Sequence, residues 1–437
     1  MAELQKKLGI KANLLQFILF SILTLWIGWF LGMERVVVPL MGTELYHISS
    51  FILILSFIAV FGFTKAILNL VAGRWSDKVG RKPMLVLGWI TGLPIPFILI
   101  YAPSWSWIIL ANVLMGFNQG LAWTMTVTSK IDIVGPKRRG FALGLNEFSG
   151  YIGQASGVVI VGFLAASFGL KPFPFYFGLV TVILGLTFSV IFARETRGYT
   201  KLELTAQQQQ SIENSSRYSL KSTSKEKTAA NLAERRERKG EKSLSEVFAL
   251  TSWKDRTLFS CSQAGLVEKF ADTLLWAMYP LFLATRGVNI LTIVFIVGLY
   301  QAVWGVMQLI TGALSDSIGR KHVIVSGMWL MSIGILLAAV EETVPFFYLS
   351  SIIIGSGMAL VYPVLLASVS DVAHPNVRGT ALGVYRFWRD SGYGFGAILI
   401  GFIADTSGII SSFYLSSVML FISGFVCLML MQETLKK

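Results

Sequence analysis

Charge is what this chain has least of. Only 14% of its 437 residues are Asp, Glu, Lys or Arg, against ~25% in an ordinary soluble domain. With 54% hydrophobic residues, such a chain cannot present a water-compatible surface, and it reads as a polytopic membrane protein. Cysteine is nearly absent. Cys261 and Cys427 each stand alone in an apolar run, which argues against a disulfide framework or a thiolate metal site. The three histidines, His47, His322 and His374, all fall between apolar runs, so no His cluster points to a metal. No nucleotide loop or nucleophile motif is present, so neither an enzyme nor a cofactor is expected. The formal charge of +13 would suggest a nucleic-acid partner in a soluble protein. Here it has another source, because lysine and arginine gather in alternate loops.

What the chain has in quantity is long apolar runs. A bilayer core of ~30 Å needs ~20 helical residues. That criterion predicts an all-α protein of twelve transmembrane helices. The first six lie roughly at 15–38, 50–72, 84–102, 106–129, 140–166 and 174–193. The second six lie roughly at 257–284, 291–311, 323–340, 346–370, 379–405 and 411–431. The basic start (Lys6, Lys7, Lys11) runs straight into the first apolar stretch, so a first span is expected rather than a cleaved signal peptide. The domain plan is a terminus at 1–14, one six-helix bundle at 15–193, a linker at 194–255, a second bundle at 256–431 and a tail at 432–437. The linker holds Gln207 to Gln210 and a Lys/Arg/Glu-rich stretch from Lys221 to Lys242. That composition cannot bury a core and predicts a largely disordered connection.

Orientation follows from the loops. One set holds Lys6, Lys7 and Lys11, then Arg74, Lys78, Arg81 and Lys82, then Lys137, Arg138 and Arg139, the linker, Arg320 and Lys321, and Lys436 and Lys437. The other set offers only Lys171 and Arg286, and adds Glu341 and Glu342. The first set is expected in the cytoplasm, with both termini and the linker.

The halves repeat at one offset, 312 − 73 = 239. It carries Gly73, Asp77, Gly80, Arg81 and Lys82 onto Gly312, Asp316, Gly319, Arg320 and Lys321. It also carries Asp132, Pro136, Arg139 and Gly140 onto Asp371, Pro375, Arg378 and Gly379, and Gly153 and Gly157 onto Gly392 and Gly396. An ungapped register across two separated regions means two parallel repeats related by an axis along the membrane normal. Glycine permits a tight turn where the chain leaves the bilayer. Asp77 is placed to meet a helix N-terminus or a cation of the opposite bundle and hold that side shut. Arg81 and Lys82 suit carboxylates and anionic headgroups.

On these residues the chain resembles a major facilitator superfamily transporter everywhere except 194–255. The resemblance implies two six-helix bundles around a central cavity, moving by alternating access. Glu195, Thr196 and Arg197 after the sixth span, and Glu433 and Thr434 after the twelfth, also look familial. The marks of proton-linked drug exporters depart from pattern. Asn112 stands where those members carry Arg in span four, and the run Ser149 to Gly157 in span five has no proline.

Ionisable groups at membrane depth cost about 2.5–3.5 kcal/mol each on insertion scales and usually face a cavity or a partner. Glu34 and Arg35 fall toward the outer end of span one, either as a surface pair or as an outer gate or proton-linked carboxylate. Lys65, with Asn69 one turn on, either snorkels inward or forms a cationic wall. Glu147 in span five and Arg386 in span eleven are repeat mates, since 147 + 239 = 386. They could bridge across the cavity, or Arg386 could pair with Asp390 one turn on. Glu268 and Asp272 share a face of span seven. They suit a proton carrier, unless Lys269 or Arg389 neutralises them. Asn118, Gln119, Gln301, Gln308 and Tyr362 could line the same cavity. Aromatic residues otherwise read as interface belts, with Trp105 and Trp107 flanking a span end.

The reading is a secondary active transporter for a small anionic or polar organic solute. Lys65, Arg386 and Arg389 motivate the anion. Glu34, Glu147, Glu268, Asp272 and Asp390 motivate coupling to protons. The expected setting is the cell membrane, as a monomer. An exporter of drugs or metabolites, and a transporter-fold receptor or scaffold, are the alternatives.

Overall fold

The computed structural model describes residues 7–135, 139–200, 202, 243–374 and 377–435. Lys6, Pro136, Lys137, Arg138, Pro375, Lys436, Lys437 and most of the expected linker lie outside the described residues. Among the described residues every regular element is helical. Ten helices are long and apolar enough to cross a bilayer: Lys11–Glu44, Phe51–Gly73, Arg81–Tyr101, Trp105–Val134, Gly140–Phe168, Phe173–Ile191, Ile290–Gly312, Arg320–Val340, Val344–Val372 and Ile409–Leu430. The seventh and eleventh places are filled by helical stretches at 256–285 and Arg378–Ser407. These two are too charged to pass on apolarity, because they carry Glu268, Lys269, Asp272, Arg386, Arg389 and Asp390.

Local signals start and stop the helices in register. Ser50 and Asn289, 239 residues apart, cap spans two and eight by accepting from the backbone N–H of Leu53 and Thr292. Gly80 and Gly319 end the same helices with φ of 112° and 103°, a conformation costly for other residues. Three spans are irregular where polar groups gather. Span one breaks its helix at 33–36, around Glu34 and Arg35. Span four winds into a π-turn at Gln119–Trp123 and span seven into another at Leu274–Met278.

Glycines set the closest packing within each bundle. Gly153 of span five lies on the backbone of Leu25 in span one, and its mate Gly392 lies on Leu266 of span seven. The bundles meet along spans two and eleven and along spans five and eight. Opposite the basic loops the seam is tight. There Asp405 accepts from Ser50 Oγ at 2.7 Å and from Ile52 N–H at 3.1 Å, and a Cβ added at Gly401 would meet Ile52 Cα at 2.5 Å. Toward the basic loops it loosens. A Cβ at Gly383 or Gly144 would find its nearest neighbour, in the other bundle, at 3.6 or 3.8 Å, and Gly73, Gly140, Gly312 and Gly379 would meet nothing within 4 Å.

The repeated charged motif is a knot inside each bundle. Arg81 donates to Asp77 at 2.6 Å, to Ser76 at 2.9 Å and to Asp132 at 3.1 Å. Asp132 also accepts from Thr196 at 2.9 Å. Glu195 caps the start of span three, taking the N–H groups of Arg81 and Lys82, each at 3.0 Å. The second half repeats this: Arg320 donates to Asp371 at 2.7 Å, and Glu433 accepts from Arg320 and Lys321 N–H at 2.9 and 3.2 Å. The glutamates are 433 − 195 = 238 apart, one short of the register. Asp77 was expected to hold the opposite bundle. It instead bonds Arg81 of its own half and leaves 67% of its side chain exposed, because the bundles have parted at this end.

Burial alone would push the Glu195 carboxyl up. The N–H groups of Arg197, Arg81 and Lys82 and the charge of Arg81 outweigh it, and the group ionises below the usual glutamate range. Such a carboxylate stabilises the fold above its unfolded pKa, ~4.3, and that contribution fades as pH falls through its lower folded value. Glu195→Gln should therefore lower the melting temperature in detergent at pH 7, with the gap to wild type closing only below about pH 4. A gap that widened on acidification would contradict this assignment.

Candidate functional site: a cation-rich cavity between the bundles

A narrow cavity, about 450 Å³ of empty space only when the open solvent at its mouth is counted and about 30 Å³ of room for the centres of water-sized molecules, lies between the bundles. Spans two, four and five supply Lys65, Asn69, Gln119, Trp123, Thr124, Glu147, Tyr151 and Gln154. Spans seven, ten and eleven supply Lys269, Tyr362, Arg386, Arg389, Asp390 and Tyr393. Helical spacing selects these faces: Glu147, Tyr151 and Gln154 succeed one another at four and three residues, and Arg386, Arg389, Asp390 and Tyr393 at three, one and three, within two turns. Gln119 and Trp123, four residues apart at the two ends of the π-turn of span four, also reach the wall.

Most of the charges are clamped in one connected set. Arg389 grips Glu268 through Nε and Nη2, at 3.1 and 3.4 Å, and reaches Asp390 at 3.1 Å and Tyr151 Oη at 3.4 Å. Its guanidinium lies 3.8 Å over the Tyr362 ring. Lys269 sits 2.9 Å from Asp272 and 3.4 Å from Glu268. Of the two alternatives for Glu268 and Asp272, a proton-carrying pair or neutralisation by Lys269 or Arg389, the geometry has the second. Lys65 does not snorkel; it turns to Asp390 of the other bundle at 3.6 Å, and Asn69 donates to the same carboxylate at 2.6 Å. The Arg386–Asp390 pair is not formed, nor is a bridge between Glu147 and Arg386, because each lines the cavity from its own side.

Behind the cavity, Arg35 crosses from span one to Asp272 of span seven at 2.8 and 3.3 Å. Tyr393 and Tyr300 also donate to Asp272, at 2.6 and 3.2 Å. Glu34 and Arg35 are fully buried, so they are no outer-surface pair. Glu34 has no donor on either oxygen. The polar group facing it is Asn112, whose Oδ1 is also without a partner. A carboxylate buried without a donor costs several kcal/mol.

Of the residues singled out in the sequence, Lys65, Asn69, Gln119, Tyr362, Arg386, Arg389, Glu147 and Asp390 line this one cavity. Asn118, Gln301 and Gln308 do not reach its wall. Asn118 donates to the Gly88 carbonyl at 2.8 Å, binding span four to span three. Gln301 donates to Tyr300 Oη at 3.1 Å, and Gln308 is buried without a partner. Trp123, Tyr151, Gln154 and Tyr393 were not anticipated, nor was Lys130, buried in span four and bonded to Thr24 at 3.3 Å. Lys130 was visible as a charge at membrane depth. The aromatic residues carried no signal separating cavity from belt, and Trp105, expected at an interface, is buried against Leu53.

Two parallel six-helix repeats around a charged cavity, tight at one end and loose at the other, define a membrane transporter rather than an enzyme. The chain belongs to the Major Facilitator Superfamily, whose family model matches residues 12–266 and 261–437. It is 27% identical to an uncharacterized MFS-type transporter of Methanocaldococcus jannaschii over 84% of this chain and 86% of that protein. It is 30% identical to multidrug resistance protein 2 of Bacillus subtilis over 32% of this chain and 35% of that protein. Among solved structures, the inward open, partially occluded xylose transporter XylE of E. coli superimposes with a TM-score of 0.71 at 16% identity, over 97% of this chain and 98% of that one. At that identity the likeness concerns the fold.

Proposed function

We propose that the protein is a proton-coupled secondary transporter for a small anionic or polar organic solute. It sits in the cell membrane with the basic loops in the cytoplasm and acts as a monomer. The observation that carries this reading is the charge at the cavity wall: Lys65, Lys269, Arg386 and Arg389 against Glu147 and Asp390. The coupling proton is assigned to Glu34, whose carboxyl lacks both cation and donor, in contrast to Glu268, Asp272 and Asp390. Glu34 adjoins Arg35, so gain or loss of its proton acts on the ion pair that joins the bundles. The present state, loose at the basic side, is the one open to the cytoplasm.

Purified protein in liposomes with an internal pH dye should show a pH change when an anionic solute of a broad panel is applied. Glu34→Gln should abolish that pH change and keep solute exchange without net flux. No pH change with any solute would dispose of the coupled reading. Export of drugs or metabolites is the second reading, favoured by the partial match to multidrug resistance protein 2. The two separate on whether solute enters or leaves right-side-out vesicles under an imposed proton gradient.

A further inference from the structure

The cavity wall is divided by sign. On the side of the first bundle, Glu147 Oε2, Gln119 Oε1 and Gln154 Oε1 are buried acceptors without a donor, and all three residues line the cavity. The amide of Gln119 is fixed, since its Nε2 donates to Ile27 O at 3.3 Å and Asn118 Oδ1 at 3.1 Å. The other oxygen of Glu147 is held by Trp123 Nε1 at 3.2 Å and Asn146 Nδ2 at 3.1 Å. Its Oε2 is left as an open site on a buried carboxyl.

The second bundle supplies the complement. Lys269 and Arg389 are committed to Glu268, Asp272 and Asp390, and Lys65 of the first bundle to Asp390. Arg386 lines the cavity and makes no hydrogen bond or ion pair with any described residue. The 239-residue register makes Glu147 and Arg386 equivalent positions of the two bundles, so they face each other across the pseudo-two-fold axis. The cavity thus holds one open anion and two neutral acceptors on the wall of the first bundle, and one open cation on that of the second.

Three acceptors match the three N–H donors of a primary ammonium. A guanidinium fork matches a carboxylate. Between them the rings of Trp123, Tyr151 and Tyr362 offer apolar faces. We propose that the transported solute is a zwitterion, an amino acid or a close analogue, with its ammonium on Glu147, Gln119 and Gln154 and its carboxylate on Arg386. This deepens the transporter reading and rests on it. A zwitterion carries no net charge, so its movement with one proton transfers one positive charge, whereas an anion with one proton transfers none.

The experiment compares phenylalanine, leucine and alanine with their N-acetyl derivatives, which lack the ammonium, and their amides, which lack the carboxylate. Binding is read by thermal shift, and transport by counterflow and by membrane potential in proteoliposomes. At least one amino acid should bind tenfold or more tightly than either capped form and should depolarise the vesicles as it enters. Glu147→Gln should erase the preference over the N-acetyl form, and Arg386→Gln the preference over the amide. Gln154→Leu should weaken binding of the amino acid and leave the N-acetyl form unchanged, and it provides a second test if Glu147→Gln does not fold.

Binding of simple monocarboxylates as tight as that of the amino acids would overturn the zwitterion and leave the anion reading standing. Amino-acid binding without any pH change would keep the zwitterion and remove the proton. Failure of every amino acid to bind would overturn the proposal. So would recovery of transport in a Glu147→Arg, Arg386→Glu double variant, since the two would then be a direct ion pair of another state.

Discussion

Asp272→Asn should destabilise the protein by about 3–5 kcal/mol, the range found when one partner of a buried ion pair is removed, and should abolish transport. Asp272 is fully buried and answers two cations, Arg35 at 2.8 Å and Lys269 at 2.9 Å. The asparagine leaves Arg35 without its counter-ion and Lys269 with only Glu268 at 3.4 Å. The hydroxyls of Tyr393 and Tyr300 lose a charged acceptor as well. Arg35 and Asp272 belong to different bundles, so the change acts on the seam between them. Thermal melting in detergent measures the first effect and counterflow the second. Arg35→Gln alone should be similarly costly, and the double variant should cost less than the sum of the two, as expected for directly coupled residues. An unchanged melting temperature in Asp272→Asn would show that the pair is not formed in the membrane-embedded state.

Arg389→Lys should reduce transport at least tenfold, about 1.4 kcal/mol in the barrier, although the charge is kept. A lysine is a point charge without the planar fork. It cannot hold both oxygens of Glu268, reach Asp390 and Tyr151, and lie flat over Tyr362, as the guanidinium does. The melting temperature should fall less than in Arg389→Leu, which strips the buried acids of their main cation. Transport at wild-type rate in Arg389→Lys would mean that only net charge matters at this position.

Much of the architecture was legible because it is written in composition and in one repeat. Spanning length is a count of apolar residues, and the basic loops follow from where lysine and arginine collect. The offset of 239 exposed the two bundles without any structure. The charged positions in spans two, five, seven and eleven stood out because burial of an ionisable group is costly enough to be rare. Asn118, Gln301 and Gln308 looked equally suited to a cavity, yet each faces elsewhere, since polarity alone does not say which side of a helix is turned inward.

The sequence by itself thus determined a helical membrane protein of two parallel repeats, its family and the short list of charges that matter. Only the tertiary structure decided how those charges are matched. Arg35 meets Asp272 across 237 positions of chain, and Lys65 meets Asp390 across 325 (390 − 65 = 325). Such pairings depend on how two bundles meet, and no spacing along one helix encodes that. The break in span one interrupts the regular 3.6-residue phase, so the face bearing Arg35 could not be reckoned from periodicity. What remains unmatched at the cavity wall, Glu147 Oε2 on one side and Arg386 on the other, emerged only after the other charges lining the cavity had found their partners.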